Sequence, residues 1–272
     1  MTRLINKDTT LCISLAARPS NFGTRFHNFL YDALDLDYVY KAFSTTDLAA
    51  AIGGVRALGI RGCAISMPFK EACIALVDEL DDSARAIASV NTLVNTAGRL
   101  KAYNTDYLAI AKLLAERRLD RDLVFALQGS GGMAKAVACA LRDAGFKKGF
   151  IVARNEAKGR ALAELYGFEW RSTMAGVRAE LLVNATPIGM AGGGDEEALS
   201  FSAQAINDAA VIFDVVALPA DTPLIRYAQA NAKQVITGAE VFAIQAVEQF
   251  VLYTGIRPDD EQFRQAAKFA RA

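Results

Sequence analysis

The feature that most narrows the fold is an alternation repeated down the chain: short apolar or β-branched runs, each followed by a stretch with helical spacing. Strands are expected over 11–15, 38–43, 63–66, 91–95, 100–104, 123–128, 150–153, 181–184, 211–215 and 235–237. Helical patterns lie between most of them. In 22–34, for example, Phe22, Phe26, Phe29, Leu30 and Ala33 share one face, and Ser20 or Asn21 stands where a cap belongs. A strand followed by a helix must cross over to reach the next strand, which favours parallel pairing with right-handed connections. The fold class expected is therefore α/β, built on parallel sheets.

Length then sets the number of domains. With 272 residues, 53% of them hydrophobic, the chain can fill about two cores. It has no long linker, repeat or low-complexity tract, so the boundary is read from a change of style. The helical pattern 107–117 runs into a charged break, Arg118-Leu119-Asp120-Arg121-Asp122, and a new strand–helix unit opens at Leu123. We place one domain over residues 1–107 plus 237–272 and a second over 108–236. The last two helical patterns, 239–253 and 259–270, are expected to return and pack on the first domain.

Composition removes several function classes. Lys+Arg and Asp+Glu both number 30, so there is no basic excess to hold a nucleic acid. Cys12, Cys63, Cys73 and Cys139 are scattered without a CxxC, as reduced buried thiols of a cytoplasmic protein would be. His27 is the only histidine, which leaves a histidine metal centre or a Ser-His-Asp triad short of material; no metal is expected. It falls on the apolar face of 22–34 and is expected to be a satisfied core residue. No apolar run reaches the roughly 18 residues of a membrane span, and MTRLINKDTT lacks the apolar core of a signal peptide.

Two stretches carry chemistry. After the strand 123–128 come Gly129-Ser130-Gly131-Gly132-Met133-Ala134-Lys135 and an apolar helix. Glycines between a strand and a helix let backbone amides approach a pyrophosphate at the positive helix end, and Ala134 is small enough for close helix–strand packing. The next strand ends in Arg154, with Asn155, Glu156 and Lys158 after it. Arg154 and Lys158 suit the 2′-phosphate of NADP, whereas Glu156 could accept from the free ribose of NAD. The second stretch is Ala64-Ile65-Ser66-Met67-Pro68-Phe69-Lys70, which delivers a lysine to the end of a core strand. Such a lysine is either a solvated residue opening a helix or a catalytic group held at the strand end. Asp106 has its own bland reading, an N-cap ahead of 107–117.

Taken together, these motifs resemble the shikimate dehydrogenase family over nearly the whole chain, in its divergent shikimate dehydrogenase-like branch. Ser66-Met67-Pro68-Phe69-Lys70 is similar to the family's V-T-x-P-F-K, Ser89-Val90-Asn91-Thr92 to its A-V-N-T, and Asn104-Thr105-Asp106 to its N-T-D. Gly129–Ala134 is similar to its G-x-G-G-x-x loop, Asn184–Met190 to N-A-T-x-x-G-M, and Gly238 with Gln245 to G-x(6)-Q. The resemblance implies a substrate domain and a Rossmann-type domain separated by a cleft. It implies Lys70 and Asp106 as the catalytic pair, with Ser20, Asn21, Ser66, Asn91 and Gln245 contacting substrate. Gly129, Ser130, Gly131, Gly132, Met133, Ala134, Arg154, Lys158, Thr186, Val215 and Gly238 would hold the cofactor, NADP or else NAD. It also implies a place in aromatic amino-acid biosynthesis, as a monomer or homodimer.

The match breaks around the substrate. Asn21 and Gly23 stand where the family has the S-x-S carboxylate grip, with Arg18, Ser20 and Thr24 close by; Ala64 replaces an asparagine and Ala217 a tyrosine. The expected function is thus interconversion of shikimate, or a closely related hydroxylated cyclohexene carboxylate, with its 3-dehydro ketone, under altered or weakened recognition. Two other readings stay open: a quinate, aminoshikimate or other ring polyol-acid dehydrogenase using NAD, and a catalytically weak regulator that binds cofactor or metabolite.

Overall fold

The computed structural model describes residues 4–271. The chain divides into two compact units, Met1–Thr105 with Ala243–Ala272, and Asp106–Phe242. Each is an α/β layer structure around its own six-stranded sheet.

The first unit runs β1 (Thr10–Ala16), α1 (Phe22–Ala33), β2 (Tyr38–Ser44), α2 (Leu48–Ala57) and β3 (Gly62–Ile65), then a 3₁₀ turn at Ala72–Leu76. β4 (Glu79–Leu80), α3 (Asp82–Arg85), β5 (Thr92–Thr96) and β6 (Arg99–Tyr103) complete its sheet, in the order β2-β1-β3-β5-β6-β4. β1 alternates faces as a pleat requires: Cys12 packs with Phe26, Leu30 and Tyr31 on one side, while Ile13 and Leu15 pack with Ile52 and Val55 of α2 on the other. Both faces are covered, so its run of buried residues is nearly continuous.

The expected parallel pairing holds in this unit for β1 with β2 and β3 and for β4 with β6, but not for β5. β5 pairs antiparallel with both β3 and β6. The cause is the two-residue turn Ala97-Gly98, whose φ angles of 51° and 85° are both positive, as a tight hairpin demands. Alanine in such a turn is uncommon, which hid the hairpin from a sequence reading. The Asn95 side chain supports the turn by accepting from Gly98 N at 2.9 Å.

The second unit comprises α4 (Thr105–Arg117, from its second residue onward), β7 (Phe125–Gln128), α5 (Gly132–Asp143), β8 (Gly149–Val152), α6 (Glu156–Tyr166) and β9 (Glu169–Arg171). β10 (Leu181–Asn184), α7 (Ala203–Asp208), β11 (Val211–Asp214), α8 (Pro223–Ala230) and β12 (Gln234–Thr237) follow. This sheet is parallel throughout, in the order β12-β11-β10-β7-β8-β9. From β7 the chain winds outward to β9, then returns to β10 and winds the other way. The switch point lies between the carboxyl ends of β7 and β10, where doubly wound sheets bind ligands. β4 and β9, at two and three residues, are too short for periodicity to show.

α9 (Gly238–Thr254) leads back into the first unit and is followed by α10 (Asp260–Arg271). Phe250 and Tyr253 of α9 and Ala266, Ala267 and Ala270 of α10 join the core under α1, where the return of these helices was expected. A Cβ at Gly62 would lie 2.3 Å from the Tyr253 ring, so α9 sits flush on β3.

One expectation at a helix start is corrected, and one alternative reading is set aside. Neither Ser20 nor Asn21 caps α1 with its side chain: Asn21 occupies the N-cap position but has φ −84° and ψ −9°, already helical, and makes no capping bond. A capping side chain works from extended backbone, as Asn155 does for α6 (φ −79°, ψ 102°, accepting from Lys158 N). Asp106 is not a cap either, because α4 begins at Thr105 and takes Asp106 into its first turn.

Candidate functional site

In the first unit, four chain segments meet at one edge of the sheet. The carboxyl ends of β1, β3 and β6 and the amino end of β5 lie there together, because β5 runs against its neighbours. Backbone bonds tie the segments: Ser66 N to Leu15 O at 2.9 Å, Ala17 N to Met67 O at 3.2 Å, Val90 N to Lys70 O at 3.0 Å and Asn91 N to Tyr103 O at 3.0 Å. Lys70 therefore does not open a helix. It stands half-buried in a tight turn between β3 and the 3₁₀ turn, with its carbonyl held by the Ser89-Val90-Asn91 segment. The structure brings Ser66, Lys70 and Asn91 to one edge, and Thr105, the residue before Asp106, is bonded there as well.

The Asn91 side chain is the most constrained group at this edge, being 1% exposed. Its Oδ1 accepts from Thr105 N at 2.8 Å, Thr105 Oγ1 at 3.2 Å and Thr92 Oγ1 at 2.9 Å, while its Nδ2 makes no hydrogen bond among the described residues. Asn104 is tied beside it, donating from Nδ2 to Ser89 O at 2.9 Å and from its backbone N to Ser83 Oγ at 3.1 Å. Of the other expected substrate residues, Ser20 and Asn21 are exposed in the loop ahead of α1, and Gln245 is half-buried on α9. Arg18 is exposed and forms no ion pair among the described residues.

His27 is a core residue, as expected, but not a satisfied one. It is fully buried, stacked 4.4 Å from the Tyr40 ring at 13°, and neither ring nitrogen completes a hydrogen bond of normal geometry among the described residues. Burial pushes the imidazole down to about 3, with the Gln249 side chain acting in the opposite sense. The ring is held in an aromatic box of Phe26, Tyr31, Phe250 and Tyr253 rather than by polar partners.

The second unit offers a different kind of site. Gly129 has φ +126°, and a Cβ there would lie 2.8 Å from Ala185 O, so the loops after β7 and β10 approach as only glycine allows. Gly131 occupies the N-cap of α5 with no side-chain capping bond, and a Cβ there would meet open space. No acidic residue lies in the first turn of α5. Unspent amides, a helix dipole and an open approach fit an anionic pyrophosphate. Ser130 and Met133 flank this approach half-buried, and Ala134 is fully buried under the helix.

Around that approach the loops are set by buried polar pairs. Asn184 Nδ2 donates to Asp214 Oδ1 at 3.0 Å, and Asn184 Oδ1 accepts from Thr186 N at 3.1 Å and Oγ1 at 2.6 Å. The Thr186 hydroxyl proton is thus committed to shaping its own loop. Asp214 also accepts from Thr222 Oγ1 at 2.6 Å and Val216 N at 3.0 Å; burial pushes its carboxyl up to about 6 against these bonds. Val215, half-buried, donates its N–H to Asn184 O at 3.0 Å. Gly238 has a steric reason, since a Cβ there would lie 2.3 Å from Val216 O. At the end of β8, Arg154 and Lys158 are exposed, and Glu156 is engaged by Arg160 Nε at 2.7 Å. That pairing weakens Glu156 as a ribose ligand and leaves the two cations.

Sequence reasoning missed Thr92, Thr105, Asp214 and Gln249. Thr92 and Thr105 stand inside the Ser89–Thr92 and Asn104–Asp106 motifs, and Gln249 lies one turn beyond Gln245, but none was assigned a role. Their bonds are visible only once strands are paired.

Comparison with known proteins agrees with the motifs. A family model described as the shikimate dehydrogenase substrate binding domain matches residues 22–93. A shikimate dehydrogenase-like protein of Haemophilus influenzae is 57% identical over 98% of this chain and 99% of its own length. A shikimate dehydrogenase (NADP(+)) of Pyrococcus abyssi is 35% identical over 89% of this chain and 90% of its own. Among solved structures, the shikimate 5-dehydrogenase of Thermus thermophilus, in complex with NADP(H) and shikimate, superposes with a TM-score of 0.86 at 30% identity, covering 96% of this chain and 99% of that one.

Proposed function

Because the chain belongs to the shikimate dehydrogenase family, we propose that it is an NADP-preferring oxidoreductase interconverting shikimate, or a closely related hydroxylated cyclohexene carboxylate, with its 3-dehydro ketone. The observation that carries this reading is the convergence of Lys70, Asn91 and Thr105, the residue before Asp106, at one sheet edge. A buried carboxamide with a spare donor beside a lysine suits a ring that bears several hydroxyls.

The bound dinucleotide supplies the two-electron hydride acceptor. The protein manages the other half, the proton of the carbinol. For ketone reduction the Lys70 ammonium delivers a proton to the oxygen as its charge develops; for alcohol oxidation the carbinol proton returns to the Lys70–Asp106 pair, which has given up that proton beforehand. Asp106 serves to keep the lysine oriented. The amides at the start of α5 hold the pyrophosphate, and Arg154 and Lys158 hold the 2′-phosphate. Missing hydroxyls at positions 21 and 23 remove two family contacts to the carboxylate. Each absent hydrogen bond costs on the order of 1 kcal/mol or more, which supports weakened or altered shikimate recognition.

The test is an initial-rate assay with shikimate, following reduced-cofactor absorbance with NADP⁺ and NAD⁺ in parallel. Saturable turnover faster with NADP⁺ supports the proposal. Calorimetric cofactor binding without turnover over a panel of ring hydroxy acids would instead identify a binding protein and end it.

A further inference from the structure

The carboxamide of Asn91 is fixed in one orientation, and the atoms around it say which. Thr105 N can only donate, so the Asn91 atom 2.8 Å from it is the oxygen. The NH₂ end is then the buried group with no partner among the described residues. A planar amide can turn over only if its oxygen releases three donors together, Thr105 N, Thr105 Oγ1 and Thr92 Oγ1.

Of these three, the two hydroxyls can reverse their roles, and for Thr92 that happens unless something opposes it. Gln249 does so. Its Nε2 lies 2.9 Å from Thr92 Oγ1 and 3.3 Å from the carbonyl oxygen of Asn91, which accepts only, so the end of Gln249 facing β5 is the donor. A hydroxyl that receives a hydrogen bond from Gln249 has its own proton free for Asn91 Oδ1. The Gln249 side chain also opposes the effect of burial on His27. Gln249 is itself 5% exposed, so this arrangement is closed to competing solvent.

We propose that Gln249 is a positioning residue: acting through Thr92, it locks the Asn91 carboxamide so that the site presents a hydrogen-bond donor, and hence reads an acceptor oxygen on the ring of the ligand. This rests on the proposed function for the identity of the ligand, but not for the orientation of the amide.

The experiment uses Gln249→Met and Thr92→Val, which keep shape while removing one link each. Thr105 is the first residue of α4, so its amide has no helical acceptor and its exchange reports the bond to Asn91 alone. Hydrogen exchange at Thr105 is expected to quicken about tenfold in both variants, the yield of one lost hydrogen bond. KM for shikimate is expected to rise by about the same factor, with calorimetric NADP⁺ affinity unchanged. The double variant should be little worse than either single one, because both act through the same amide. Unchanged Thr105 exchange in the variants overturns the proposal, as does a parallel loss of NADP⁺ affinity, which marks general loosening. If wild-type protein turns over no ring acid, the proposed substrate falls, and Thr105 exchange still decides the role of Gln249.

Discussion

The two units solve recognition with different materials. In the first, the proposed ligand edge is made of side chains whose hydrogen bonds are counted out one by one: Asn91, Thr92, Asn104, Thr105 and Gln249. In the second, it is made of backbone, a helix N-terminus and glycines whose merit is the absence of a side chain. A backbone site tolerates change in the surrounding residues, whereas a side-chain site alters its preference with each substitution. Under the proposed function, this accounts for departures from the family pattern at positions 21, 23 and 64, all in the first unit, while the glycine loop persists.

The largest expected effect breaks the first unit's chemistry without touching the second. Lys70→Ala should lower turnover by about 10²- to 10⁴-fold, the usual reach of a general acid–base group. NADP⁺ affinity, measured by calorimetry, should stay within about twofold, on the order of the noise in such additive sites. Wild-type turnover in this variant would remove the lysine from the mechanism.

The buried titrating groups should set the units apart by sign. His27 is held near 3, below its unfolded value, so its contribution is full above about 6.5 and falls as the pH drops toward 3, by about 1.4 kcal/mol per pH unit. Asp214 is raised to about 6, so its contribution is full below about 4 and is lost as the pH rises toward 6, with a similar slope. Urea unfolding across this range should show a flatter acid limb for His27→Phe. Asp214→Asn, whose amide can donate to Thr222, should lose the decline between about 4 and 6. The same profile in a variant as in wild type refutes the assignment for that residue.

A smaller effect sharpens the contrast in the glycine loop. Gly131→Asp puts a carboxylate at an N-cap that has room for it. It should stabilise α5 by about 1 kcal/mol in thermal unfolding while weakening NADP⁺ binding roughly tenfold, through repulsion of the pyrophosphate. Tighter or unchanged binding would show that α5 does not hold an anion. The least effect concerns caps: Asn155→Ala should cost about 1 kcal/mol, and Asn21→Ala close to nothing, because only Asn155 makes a capping bond. Equal losses would show that Asn21 carries more than its geometry allows.

Much of this was legible because it depends on short-range rules. Alternating periodicity placed ten of the strands to within two residues, and the Gly129–Gly132 loop was readable because strand, turn and helix are contiguous in the chain. The β5–β6 hairpin was not, since Ala97 is not a usual residue for its turn position and only pairing with β3 reveals its direction. Asn21 was misjudged because the residue type favours a cap but its backbone angles do not.

The sequence by itself determined the α/β class, the glycine loop and the residue types at the sheet edge, since each follows from local periodicity or a contiguous motif. Only the tertiary structure decided which way the Asn91 amide faces, that His27 is buried in an aromatic box, and that Gln249, far along the chain, helps to hold β5. Those facts depend on partners distant in sequence, and a hydrogen bond acquires a direction only when both of its ends are in place.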